Sequence, residues 1–308
     1  MESFLIAAVT ASTPLILATL GELITEKSGS LNLGVEGMML MGAVIGFMVG
    51  FNTGNPILAL LGAMAAGGGG ALIFAVITVS LRANQVVTGL TLTIFGKGLA
   101  NFLGQPMLGL VEPKTVGAFF AKIKLPLLSK IPYIGPIFFN QDILVYLCYI
   151  LVILLSIYIY KTRTGLNMRA TGENTAAADA SGVNIAGHKY AHIIFGGSLC
   201  GLGGAYLALV TVPVWQSDVV VGRGWIAVAL VIFASWNPVK AFFASLLFGG
   251  LSILGLRMQS LGLHISQDLV DMLPYIATII IVIVSTYRNR KEDQPPANLS
   301  VPYFREER

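Results

Sequence analysis

The chain has 308 residues, 55% of them hydrophobic and only 11% charged, against roughly 25% charged residues in soluble domains. Its mean hydropathy of +0.79 excludes a water-soluble globule and an intrinsically disordered chain. The balance of 19 basic to 15 acidic residues, a formal +4, is too weak to point to nucleic acid. The 35 glycines fit a protein whose membrane helices approach closely.

In chain order the apolar runs are 5–24, 31–51, 56–81, 86–103, 143–160, 191–212, 225–236, 239–256 and 272–287. No basic segment precedes the first, so it is expected to be a retained span rather than a cleaved signal peptide. A span needs about 20 apolar residues to cross about 30 Å of hydrocarbon. The seventh run is too short to cross alone and is expected to be extended through 219–223 or to be re-entrant.

Charge sets the orientation. The loop 161–189 carries Lys161, Arg163, Arg169 and Lys189, and the tail carries Arg288, Arg290 and Lys291. Both are expected on the cytoplasmic side. Two segments on one side are separated by an even number of crossings, so the seventh run has to cross. The expectation is an all-α polytopic membrane protein with about nine transmembrane helices and a broken or re-entrant segment, its C-terminus inside and its N-terminus outside. Arg82 and Lys240 then also fall inside. The long loop 104–142 falls outside despite Lys114, Lys122, Lys124 and Lys130. Residues 1–288 form one membrane domain, with 161–189 as a cytoplasmic loop. The polar tail 289–308, with Pro295, Pro296 and Pro302, is expected to be flexible.

Several patterns within the runs bear on function. Gly42, Gly46 and Gly50 share one helical face, as do Gly197 and Gly201, and Gly67 to Gly70 form a run. They serve either packing within the subunit or a sliding or dimer interface. The stretch 21–37, GELITEKSGSLNLGVEG, sets Glu22, Glu26, Lys27, Asn32 and Glu36 between two apolar runs. It is either a solvated turn or a broken helix facing a water-filled path. Non-helical backbone at membrane depth is tolerated only when buried in protein or lining a cavity. Asn32 and Glu36, four apart and inside the apolar run, favour the path. Asn84, Gln85 and Thr88 open the fourth run, where uncharged donors and acceptors suit either a neutral polar solute or interhelical hydrogen bonding.

The loop after the fifth run reads RTGLNMRATGENTAAADASG over 163–182. Asn174 is placed to cap a short helix over 175–181, and Gly182 to end it in the left-handed conformation. A smooth alanine face on such a helix suits docking into a partner's groove. Catalytic and metal signatures fail: His188 and His192 lack the acidic residue of a zinc motif, and Gly96-Lys97-Gly98 is not a phosphate loop. Cys148 and Cys200 read as ordinary buried thiols. The chain is expected to be no enzyme and to bind no cofactor or metal.

The segments 21–42, NQVVTG at 84–89, 163–185 and 222–238 resemble the permease subunits of bacterial ABC importers. The chain is most similar to the shorter of two permeases in nucleoside importers, and more distantly related to branched-chain amino acid and ribose permeases. The resemblance implies the ABC importer permease fold and a heterodimer with a second, longer permease subunit. It also implies a cytoplasmic ABC ATPase that binds ATP and Mg, an extracytoplasmic substrate-binding lipoprotein, and a small-molecule solute. The implied location is the bacterial inner membrane, in contact with lipid. Gly172, Glu173, Asn174, Ala177, Ala178 and Gly182 would form the coupling loop. Asn32, Glu36, Asn84, Gln85 and Thr88 would lie on the substrate path. Nucleoside import is the expected function. The alternatives are a simple sugar or riboflavin on the same architecture, or a standalone secondary transporter. The last should show ionisable residues in several mid-span positions.

Overall fold

A computed structural model describes residues 2–126, 129, 131, 132, 134–260, 272, 273, 276, 279, 280, 283 and 294–304. The ninth apolar run and Arg288, Arg290, Lys291 and Lys130 lie largely or wholly outside these residues. Among the described residues, six helical segments are long and apolar enough to cross a membrane. They are α1 (Glu2–Lys27), α2 (Val35–Thr53), α3 (Pro56–Ala75) with a π-turn at Val76–Ser80, α4 (Gln85–Gly104), α7 (Ile143–Lys161) and α10 (Ile185–Tyr206) with a π-turn at Leu207–Thr211. The loop between α4 and α7 holds α5 (Lys114–Phe119), α6 (Ile134–Phe138) and a two-stranded antiparallel ribbon pairing Ile123–Lys124 with Asn140–Gln141. The loop between α7 and α10 holds α8 (Arg163–Glu173) and α9 (Thr175–Ala180); α11 (Arg223–Phe233) and α12 (Pro238–Ser260) follow.

Helix α10 is the hub, packed on α1, α2 and α3. The glycines explain how. A Cβ on Gly42 would strike the backbone of Gly201, and one on Gly67 would strike Gly197 and Gly201. Three backbones therefore meet where side chains are missing, as dispersion-driven packing in lipid requires. Of the two sequence readings of these glycines, packing within the subunit is the one the structure shows.

The seventh run does not form a full span by itself. At 11 residues, α11 is about 16 Å long, roughly half the hydrocarbon thickness. The preceding chain makes up the distance. Val214 bridges Val111 beyond the far end of α4. Asp218 lies against Lys97, Gly222 and Gly224 reach Glu36, and Trp236 reaches Glu26. Residues 214–236 thus run from one end of the bundle to the other as irregular backbone followed by a half-helix.

The tail also departs from expectation. Instead of hanging free, residues 294–304 are held against the α8–α9 loop. Asn298 donates its backbone N–H to Gly172 O at 2.9 Å, Ser300 donates to Gly29 O at 3.3 Å, and the Tyr303 hydroxyl donates to Asp179 Oδ2 at 2.8 Å. The tail and the loop therefore share one side, as the charge argument requires.

Candidate functional site

The polar stretch after α1 does not stay at the surface. Residues 28–34 are non-helical and almost wholly buried. Leu33 O accepts from the Thr93 hydroxyl at 3.0 Å, and Thr93 lies eight residues, about 12 Å, along α4. The break is thus sunk into the bundle, and its backbone groups need protein partners in place of water. Side chains supply them. Glu22 Oε1 accepts the Asn32 N–H at 3.0 Å, Gln85 Oε1 accepts the Leu31 N–H at 2.7 Å, and Asn32 Oδ1 accepts the Gly34 N–H at 2.9 Å.

Glu36 joins this break to the second one. Its two carboxylate oxygens accept the N–H groups of Gly222 and Gly224, each at 2.7 Å. Gly222 is the left-handed N-cap of α11 (φ 75°) and offers no side chain to cap that helix. A glutamate from α2 therefore caps α11 in trans, where the helix dipole favours a negative charge. Gly224 must be small, because a Cβ there would collide with Glu36. At the other end of α11, Trp236 Nε1 donates to Glu26 Oε2 at 2.5 Å. Outside the spans, Asp142 caps α7 through the Leu144 and Val145 N–H groups and accepts the Tyr206 hydroxyl at 2.7 Å. Burial pushes its pKa up against the pull of those hydrogen bonds.

Among the expected path residues, the structure brings Asn32, Glu36 and Gln85 together around the two breaks, where backbone groups occupy them. Asn84 caps α4 by accepting the Val87 N–H at 3.0 Å, and the Thr88 hydroxyl donates to Asn84 O at 2.8 Å. Thr88 also lines a groove of about 430 Å³ between α3 and α4, beside Thr91 and Phe95.

A different set is open to its surroundings. One arc of α4, continued by Gln105 in the turn that follows, exposes Thr91, Phe95, Lys97, Asn101 and Phe102 beside Val87, Leu90 and Ile94. Lys97 Nζ lies 3.0 Å from Asp218 Oδ2, the two side chains 55% and 45% exposed. Lys97 sits twelve residues, about 18 Å, into the helix, midway along the candidate span Gln85–Met107. A charge at that depth facing lipid costs about 2.5–3.5 kcal/mol on insertion scales. This arc therefore suits water or another protein chain and not acyl chains. Sequence reasoning treats Lys97 only as a failed phosphate loop. The polar residues recurring every three to four positions along the run are the signal that would have found the arc.

The loop side follows local rules. Asn174 Oδ1 accepts the Ala177 N–H at 3.0 Å and caps α9, and Gly182 ends it with φ 83°. Ala178 is buried while Ala176 and Ala177 are exposed. Glu173 accepts the Ala297 N–H at 3.3 Å, and Gly172 packs so tightly on Lys27 that a Cβ would clash. His188 and His192 stack at 5.7 Å, and His192 bonds the Tyr158 hydroxyl. Among the described residues no group of three or more metal-binding side chains occurs.

Residues 4–282 match the family model described as branched-chain amino acid transport system / permease component. The chain belongs to that permease family. A putative glucose ABC transporter permease protein of Haloferax volcanii is 41% identical over 85% of this chain and 79% of its own length. The guanosine ABC transporter permease protein NupQ of Bacillus subtilis is 35% identical over 98% of this chain and 96% of its own length. The nucleoside ABC transporter permease protein NupC of Lactococcus lactis is 35% identical over 88% of each. No solved structure matches. The permease is thus a multi-pass transport subunit of an ABC system, not an enzyme, and works with other components of such a system.

Proposed function

We propose that this permease forms half of the translocation path of an ATP-driven nucleoside importer, with the exposed arc of α4 and the Asp218 segment as its path surface. The observation that carries the reading is the mid-span Lys97–Asp218 pair on an open face. Around it stand groups that suit a nucleoside. Phe102, 75% exposed, and Phe95 offer rings on which a flat base stacks, and Asn101, Gln105 and Thr91 offer hydrogen bonds to sugar hydroxyls. Asn32, Glu36, Asn84, Gln85 and Thr88 support that surface by fixing the two helix breaks and the start of α4.

The partners in this reading are a second, longer permease closing the path, a cytoplasmic ATPase carrying ATP and Mg, and an extracytoplasmic lipoprotein that delivers solute. In this reading the chain crosses the inner membrane about nine times, with 214–236 as a broken crossing and its C-terminus in the cytoplasm. The ATPase docks on the exposed alanines of α9. Its closure moves α8 and α9 and rocks the bundle between outward-open and inward-open states. A sugar solute is the second reading, favoured by the resemblance to the Haloferax permease.

Uptake by the complete complex in liposomes separates the two. ATP-dependent accumulation of labelled guanosine is expected, with Phe102→Ala lowering it roughly tenfold, within the range of about 1–3 kcal/mol for base–aromatic stacking. Glucose accumulation without guanosine accumulation would overturn the nucleoside reading.

A further inference from the structure

A cavity of about 410 Å³ lies where α3, α4 and α10 end on the loop side, and the transport reading gives it no role. Arg82, Asp179, Lys189 and Tyr303 are on its wall. Lys189, the fifth residue of α10, is only 4% exposed. Among the described residues it has no hydrogen bond or ion pair. An unpaired ammonium on a largely buried side chain at a cavity wall stays charged most easily beside an anion. The acid on the same wall, Asp179, is engaged by the Tyr303 hydroxyl. Arg82 supplies a second cation, its guanidinium 4.6 Å from the centre of the Phe304 ring. The start of the 22-residue α10 adds a third attraction. Ile185 and Ala186, also on the wall, open the first turn; Asn184 Oδ1 takes the Gly187 N–H at 3.0 Å, and the Ile185 and Ala186 N–H groups have no partner within the helix.

We infer that this cavity is a binding site for a phosphate-bearing anion, held by Lys189, Arg82 and the amino end of α10 and covered by the tail at Pro302 and Tyr303. The site stands at the level where the spans end, so the phosphate comes either from the headgroup of an anionic lipid or from free phosphate. Occupied, it ties the tail to α10 and, through Tyr303 and Asp179, to α9.

The test uses the permease purified with its partner subunits. One arm titrates inorganic phosphate and follows the melting temperature. The other compares nanodiscs of phosphatidylcholine alone with nanodiscs that also contain phosphatidylglycerol, and counts retained lipid by native mass spectrometry. Saturable binding is expected in at least one arm, weakened about tenfold or more by Lys189→Met and unchanged by Lys114→Met in the far loop. Saturation with phosphate identifies the free anion, saturation with phosphatidylglycerol identifies the headgroup, and saturation in both shows that the site reads the shared phosphate. Without anion, Lys189→Met is expected to melt no lower than the parent, because it removes an unpaired buried charge. Should it fail to assemble, Arg82→Gln carries the same comparison. No saturation in either arm, or saturation that both variants leave intact, overturns the site.

Discussion

Helices α4 and α7 are the two least buried of the long helices, yet they face different surroundings. On α7 the exposed positions before the terminal Lys161 are Ile143, Ile150, Ile153, Leu154, Ile157 and Tyr160, and its mean hydropathy reaches 2.6. On α4 the mean hydropathy is 1.4, and its open arc mixes Thr91, Lys97, Asn101 and Gln105 with Phe95 and Phe102. Exposure alone therefore does not mark a functional face in a membrane protein. The chemistry of what is exposed does, because lipid cannot solvate an ammonium or an amide.

The largest expected effect comes from the group that holds the Asp218 segment in front of α4. Glu36→Leu leaves the Gly222 and Gly224 N–H groups without their acceptor, at about 1–3 kcal/mol for each buried donor. Loss of a folded complex in size-exclusion chromatography is expected. A complex that keeps its melting temperature would mean that the second break does not depend on the first.

The next test sets the two helices side by side at matched depth. Ile153 and Ile94 are 60% and 74% exposed, each about 15 Å from the start of its helix. Ile153→Asp places a charge in lipid and should lower the membrane-inserted yield, in line with about 2.5–3.5 kcal/mol. Ile94→Asp should insert like the parent and change uptake only. Equal losses of inserted protein would end the distinction between the faces.

A smaller effect is expected on the loop side. Ala177→Trp adds bulk to the exposed face of α9 without touching the core. Uptake should fall by about tenfold while the purified complex still hydrolyses ATP, as for a coupling contact of about 1.4 kcal/mol. Unchanged uptake would remove α9 from the coupling route.

The smallest effect is a pH dependence at the far end of α4. Glu112 is buried, with neither carboxylate oxygen hydrogen-bonded among the described residues. Burial raises its pKa from 4.5 to about 7. A folded-state pKa above the unfolded one gives stability that is complete below the unfolded value and is lost as pH climbs through about 7. The melting temperature should therefore fall by a few degrees across that window, and Glu112→Gln should flatten the profile.

What could be read from the sequence depended on the range of the interaction. The α9 cap at Asn174 and its end at Gly182 obey rules spanning a few residues, so they were legible without coordinates. That the seventh run is too short for a full helical span was legible because length is one-dimensional. The partner of Glu36 was not, since Gly222 lies 186 residues away and nothing local marks it. The same holds for Lys97 and Asp218: only the fold brings the irregular stretch 214–222 past the middle of α4. The tail misled for a related reason. Its prolines and polarity describe a segment without a core of its own, and Leu299 packs instead against the core built by the rest of the chain.

That tail also sets an order of events. Ser300 closes on Gly29 and Asn298 on Gly172, so residues made first, midway and last converge on one patch. Synthesis runs from the amino end, so this patch stays unfinished until residues 298–300 have emerged. Helices α1 to α10 can therefore all be in place before the contact that joins Gly29, Gly172 and Ser300 is able to close.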